Sequence, residues 1–247
     1  MGHEMTMRVY GLVPARSGSK GLPDKNILKV NGHPLMAYAI AYGKKLNLDR
    51  LFVSTDSRDY AQIATRYGAE CPYLRGHRAS GDTAMEEDIL QDCTDNFPAH
   101  GIPMPQIWIW LKPTSPFKCL TAGVEALEVL ESRPQVDSVR IVSETESRIH
   151  HINDSGYLEP TSPLWDPGRS KIRRTELPCA FQPFNLEVFR HENWAGFGSR
   201  FMGDRIHPII RPRITGLDID DLDSFEIVKA LIEADPRPSV VAKYVHL

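Results

Sequence analysis

Cysteine is scarce in this chain of 247 residues: only four occur, Cys71, Cys93, Cys119 and Cys179, and no two form a C-x-x-C pair. Single, scattered cysteines suit a reducing compartment better than a disulfide framework. Long apolar runs are also lacking. No stretch is long enough to span a bilayer, and the polar start, residues 1–8, has no apolar signal region, so no membrane association is expected and a cytoplasmic protein is the simplest expectation. Positive charge is not in excess: 29 Lys and Arg face 32 Asp and Glu, a net charge of -3. That argues against a sequence-independent nucleic-acid binder and makes any positive patch a local one. Internal repeats and low-complexity segments are absent, and no G-x-S-x-G marks a nucleophilic serine.

What remains is ordinary for a globular protein, with 41% hydrophobic and 25% charged residues. The length suits one large α/β domain or a core with a small appendage. Strand-like and helix-like stretches alternate. Arg8–Val13, Leu51–Ser54, Ile107–Leu111 ("IWIWL") and Ser138–Val142 read as strands. Pro34–Lys45, Arg58–Tyr67, Glu86–Phe97 and Leu120–Leu130 read as helices. The second helix ends at Gly68, a usual C-terminal stop. This order predicts an α/β fold with a mostly parallel sheet flanked by helices. The pattern breaks at residues 143–174, which are rich in charge, His, Pro and Ser and hold a hairpin-like "HHINDSGYLEP". It returns with a strand over Ile206–Ile210 and a helix over Leu222–Ala234 carrying an apolar stripe. We therefore expect a single domain over 1–247 with an inserted subdomain at 143–174.

The first strand runs straight into "PARSGSKGLPDKN", which places Arg16, Lys20 and Lys25 around Gly18 and Gly21. Loops at the carboxyl ends of parallel strands are where open α/β sheets bind ligands, and glycines let successive N–H groups converge on an anion. The loop reads either as a polyphosphate cradle or as a solvated basic surface. It is not a Walker A loop, because Lys20 is followed by Gly21 rather than Ser or Thr, and it lacks the dinucleotide fingerprint G-x-G-x-x-G.

Near the other end, "LDIDDLDSFE" holds Asp218, Asp220, Asp221 and Asp223. In an extended stretch Asp218 and Asp220 point to one side, which suits a hard cation such as Mg²⁺. Asp221 and Asp223 fit the cap and first turn of the following helix. An EF-hand fails, since Leu222 and Lys229 fall where oxygen ligands belong. Asp56, and Asp82 with Thr83, precede helices and read as caps or as site residues. His150 and His151 are adjacent and make a poor metal pair. Trp108 and Trp110 alternate with isoleucines and read as core.

Residues 14–26 closely resemble the N-terminal signature of the CMP-sialic acid synthetases (acylneuraminate cytidylyltransferases), A-R-x-x-S-K-G-L-x-x-K-N. The likeness continues in order through "VSTDS" (53–57), "SGDTA" (80–84), "LKPTSPFK" (111–118), "RTELP" (174–178) and "LDIDDLDSF" (217–225). It implies a Rossmann-like fold and an enzyme joining CTP to an acidic α-keto sugar, with release of pyrophosphate. It also implies that Arg16, Lys20 and Lys25 face the triphosphate and that Asn26 lies near the nucleotide. Asp82 and Thr83 would lie near the base. Residues 143–174 would form a homodimer contact that brings Arg174 or Arg173 towards the partner's sugar pocket. Three positions depart from the pattern: Lys112 stands for the usual Gln, Gly81 for a Ser, and "QPFNLEVF" (182–189) for R-P-N-G-A-I-Y. Lys112 and Gln182 thus fall where the family handles the acceptor sugar, and the acceptor stays open.

The resulting expectation is a cytidylyltransferase with Arg16, Lys20, Asp218 and Asp220 as its catalytic residues, the two aspartates as Mg²⁺ ligands, and CTP and an acidic sugar as partners. A GT-A-type glycosyltransferase is the alternative, since it too combines a nucleotide-binding sheet with a D-x-D. A catalytically silent nucleotide-binding protein is the third reading.

Overall fold

The computed structural model describes residues 7–164, 166, 168 and 173–247. Ten strands occur among them: β1 (Val9–Pro14), β2 (Lys29–Val30), β3 (His33–Pro34), β4 (Arg50–Ser54), β5 (Ile107–Trp110), β6 (Ser138–Thr145), β7 (His150–Ile152), β8 (Leu158–Pro160), β9 (Ala180–Arg190) and β10 (Ile206–Arg211). The helices are α1 (Leu35–Lys45), α2 (Arg58–Tyr67), α3 (His77–Ser80), α4 (Glu86–Asn96), α5 (Leu120–Ser132), α6 (His191–Phe197), α7 (Leu222–Glu233) and α8 (Ser239–Ala242).

Six strands form the central sheet in the order β10-β6-β9-β5-β1-β4. Only β9 is antiparallel to its neighbours. The mostly parallel α/β sheet expected from the alternation is therefore present. Its middle is built by the period of two in β5. Ile107 and Ile109 face one layer with Val9, Val13 and residues of α1 and α5, while Trp108 and Trp110 face the other with residues of α4. All four side chains are buried, as a strand covered on both faces requires. Helix α2 ends at Gly68 with φ 91°, the left-handed stop that its sequence suggested.

Two differences from the sequence reading stand out. Strand β6 continues to Thr145, into the segment assigned to the insertion. Strand β9 has no counterpart in that reading, although it lies in the middle of the sheet. Its Gln182, Pro183, Asn185 and Glu187 break the apolar pattern that marks a buried strand. The hairpin is where it was expected: β7 and β8 pair antiparallel around a turn at residues 153–157, with Gly156 at φ 84°. Among the described residues no helix is long and apolar enough to cross a membrane.

Candidate active site

The loop after β1 is held from three sides. Asp56, just past the end of β4, accepts hydrogen bonds from the Ser17 backbone N–H and hydroxyl, both at 2.8 Å. Burial alone would push its carboxyl up, but these bonds and the nearby Arg75 hold it below the usual carboxylate range. Asp56 is thus a brace for the loop, and Ser57 caps α2 in its place by accepting the Tyr60 N–H. Buried Asn26 donates its side-chain amide to the Arg16 carbonyl at 3.1 Å. Lys25 donates to the Ile219 carbonyl at 2.6 Å, across 194 positions of sequence, and its ammonium lies 4.0 Å from Asp220. Gly21 makes the approach feasible, because a Cβ there would sit 2.6 Å from the Asp220 carbonyl oxygen. The cationic loop and the acidic segment are therefore one structure.

The acidic segment follows the alternation read from its sequence. Ile219 is fully buried and its N–H bonds the Thr114 carbonyl at 3.0 Å, docking the segment on the loop after β5. Asp218 accepts from the Ser115 hydroxyl at 2.7 Å, and the Asp220 side chain is 83% exposed. Asp221 caps α7 by accepting the Ser224 N–H, and Asp223 lies in its first turn. Among the described residues no group of three or more His, Cys, Asp or Glu is gathered as a metal cage. Two carboxylates beside a cationic loop do fit Mg²⁺, which takes one or two carboxylates and completes its shell with phosphate oxygens and water.

A cleft of about 350 Å³ opens at the carboxyl ends of β1 and β5. Arg16, Lys25, Asn26 and Lys112 line it, together with Arg75, Met85, Glu86, Trp110 and Thr114. Beside the cleft, Asp82 pairs with Lys20 at 2.9 Å and with Arg16 at 3.2 Å. The bonds from Lys20 and then Arg16 hold its carboxyl below the ordinary range. Asp82 therefore is not a helix cap; the Met85 N–H at the start of α4 is accepted instead by Asp88. Thr83 is exposed and, like Lys20, Asp82, Asp218 and Asp220, is not among the cleft residues. Gln182 lies on β9 opposite Ser143, also away from the lining. The Arg174 side chain lies outside the described residues.

Lys112 is the centre of a charged group. Its ammonium is 2.9 Å from Glu86 and 3.9 Å from Glu187, and Glu187 is 3.1 Å from Arg140. Burial draws the Lys112 amine down, but Glu187 and Glu86 outweigh it and hold the amine above its usual value. Burial pushes the Glu187 carboxyl up against the pull of Lys112 and Arg140. Behind this group, fully buried Lys118 donates to the Asn185 carbonyl at 2.8 Å, and burial lowers its amine to about 7 despite the neighbouring Asp218. The Asn185 amide bridges the Phe117 and Thr215 carbonyls, so this departure from the family pattern ties together β9, the loop after β5 and the approach to Asp218.

Four residues of the site have no motif in the sequence. Arg75 is buried, lines the cleft and has an Nε without a partner; Trp110 likewise has an unpartnered indole N–H. Such atoms are rare in a folded interior. Glu86 and Glu187 are the other two. A signal for Glu187 was present, since it is the one acid in the otherwise apolar run Leu186–Phe189.

The chain belongs to the cytidylyltransferase family, whose model matches residues 10–153, more than half of the chain. It is 27% identical over 240 residues to an N-acylneuraminate cytidylyltransferase of Escherichia coli, across 96% of this chain and 55% of that one. It is 32% identical over 154 residues to a CMP-N,N'-diacetyllegionaminic acid synthase of Legionella pneumophila, across 62% of this chain and 66% of that one. The chain thus spans only about half to two thirds of the length of these relatives. A solved CMP:2-keto-3-deoxy-manno-octonic acid synthetase complexed with CTP shares the fold, with a TM-score of 0.66 and 16% identity over 91% of this chain and 98% of that one.

Proposed function

We propose that this protein is a nucleotidyltransferase that activates an acidic α-keto sugar of the sialic acid type with CTP, giving the CMP-sugar and pyrophosphate. The observation that carries this reading is the Lys25 bridge, which ties the cationic loop lining the cleft to the acidic segment beside it. Arg16, Lys20 and Lys25 receive the triphosphate. Arg16 and Lys20 are ready-made for that role, since both already hold one anionic partner, Asp82. The acceptor hydroxyl attacks the α-phosphorus in line. A new C–O–P bond forms and the hydroxyl proton passes to water, while the bond between the α-phosphorus and its bridging oxygen breaks and the electron pair leaves with pyrophosphate. Positioning and neutralisation of charge on the leaving group supply most of the catalysis. Asp218 and Asp220 would hold Mg²⁺, which when bound supplies Lewis-acid polarisation of a phosphate oxygen. Among the described residues no histidine lines the cleft, and no histidine base is assigned. Membership of the cytidylyltransferase family favours this reading over the glycosyltransferase one.

The same proposal extends to the assembly: one domain, paired as a homodimer through residues 143–174, in a cytoplasm that keeps its four free cysteines reduced. Ile149, Ile152, Tyr157, Leu158 and Leu164 support the pairing, because each leaves at least half of its surface exposed on or beside the β7–β8 hairpin.

Nucleotide choice tests the reading. Thermal unfolding with Mg²⁺ and each of CTP, UTP, ATP and GTP at equal concentration should show the largest rise in Tm with CTP. Equal rises with all four nucleotides would contradict it.

A further inference from the structure

Asp82 carries the inference. It lies in the turn between α3 and α4, which the Ala84 N–H closes on the Gly81 carbonyl at 3.1 Å. That turn makes no use of the Asp82 carboxylate, and α4 takes its cap from Asp88. The carboxylate reaches across to the loop after β1 instead. One oxygen meets Arg16 at 3.2 Å and the other meets Lys20 at 2.9 Å. Arg16 also donates to the Ser80 carbonyl, at 3.3 Å. Among the described residues Lys20 meets no other carboxylate.

A strap thus joins two segments that line the cleft, the loop carrying Arg16 and Ser19 and the stretch carrying Ala79, Ala84 and Met85. Its side chains stay open to water: Lys20 is 72% exposed, Asp82 50% and Arg16 28%. Exposed ion pairs of this kind hold weakly and give way to a stronger anion. The layout selects the kind of anion. Arg16 lines the cleft, whereas Lys20 lies beside it. A single carboxylate bound within the lining meets Arg16 without Lys20. A chain of phosphate groups is long enough to meet both.

We propose that Asp82 is an internal counter-ion of the polyphosphate site. It holds Arg16 and Lys20 while the site is empty, the polyphosphate replaces it, and it takes the two cations back as pyrophosphate leaves. This rests on the reading of Arg16 and Lys20 as cations that receive the triphosphate. It adds what limits the affinity of that site and how the product is let go. The apparent affinity falls by the share of time in which Asp82 occupies the cations. The same occupation stops pyrophosphate from staying bound.

The test is calorimetry with inorganic pyrophosphate, CTP and N-acetylneuraminic acid, each with Mg²⁺. The proteins are the wild type, Asp82→Asn, Asp82→Ala, Lys20→Gln and the double variant Asp82→Asn with Lys20→Gln. Asp82→Asn and Asp82→Ala should each bind pyrophosphate and CTP about threefold more tightly, the gain expected if the carboxylate holds the cations about two-thirds of the time. N-acetylneuraminic acid should gain less. In the Lys20→Gln background, Asp82→Asn should give about half of that gain or less, because one of the two pairs is already gone. Both Asp82 variants should melt close to the wild type, since the turn does not use the carboxylate. Mere loss of one negative charge would give the same gain in both backgrounds and for all three anions, and that result overturns the proposal. An affinity for pyrophosphate that is unchanged or lowered in both Asp82 variants overturns it as well. The functional reading is judged separately. If the Asp82 variants gain affinity for pyrophosphate but the protein shows no preference for CTP over other nucleotides, that reading fails and this inference stands. If neither pyrophosphate nor CTP binds any of the proteins, both fall.

Discussion

Lys25 shows at the scale of one side chain how the site is assembled. Its ammonium bonds the backbone of Ile219 and faces Asp220, so its charge joins two loops before any ligand arrives. Asp218 is tied to the site by a different contact, the Ser115 hydroxyl. Replacing either aspartate by Asn keeps the size and a hydrogen-bond acceptor but removes the charge that a divalent cation needs. Asp218→Asn and Asp220→Asn should each lower kcat by about 100-fold or more, with a melting temperature close to that of the wild type. Wild-type kcat in the double variant, or in excess chelator, would remove the metal from the mechanism. The burial of Ile219 between these aspartates was legible in the sequence, because it is the one apolar residue between two acids. Arg75 was not legible. Nothing near it in sequence announces a cleft, and only the fold brings it to the lining that Arg16 and Lys25 share. Lys112 was legible as a cation at a sheet end, but Glu86 and Glu187 beside it come from α4 and β9, which periodicity cannot bring together.

Among the elements, β9 carries the clearest lesson. Strands β1, β4 and β5 could be read because both of their faces are apolar. In β9, Glu187 and Asn185 serve the polar groups around the site, so its pattern is interrupted where its structural role is greatest. Function overrode the local signature. The edge pair β6 and β10 has a different fastening. Asp137, just before β6, accepts bonds from the N–H groups of Asp204 and Arg205 at 2.9 and 2.8 Å and from the Arg205 guanidinium at 2.9 Å. Burial pushes its carboxyl up, but the bonds from Arg205 and Asp204 prevail and lower it below its usual 3.8. A folded-state value below the unfolded one gives stability that is fully present above the unfolded value and is lost as pH falls through the folded one. Asp137→Asn should cost about 1–3 kcal/mol at neutral pH. It should also flatten the part of the stability profile below pH 4, read by urea unfolding across pH. An unchanged acid limb would mean that this carboxylate does not fasten the edge.

For the whole molecule, the hairpin and the cleft pose one question of assembly and one of chemistry. Ile152 and Leu158 on β7 and β8 are exposed among the described residues, and a symmetric partner is the cover proposed above. Light scattering at working concentration should give a dimer, and Ile152→Asp with Leu158→Asp should give a folded monomer; a dimer that survives both changes would place the contact elsewhere. The segment's departure from the α/β pattern was visible in the sequence, but its partner was not, because a surface shows in sequence only as apolar residues without periodicity. The chemistry is tested most directly by pyrophosphate release from CTP and Mg²⁺ against a panel of acidic α-keto sugars, with the product identified by mass. The expected result is release that requires both CTP and one of these acids, with a CMP-sugar formed in equal amount. Binding of CTP without release above the acceptor-free rate for any acid of the panel would contradict the assignment of this cleft to sugar activation.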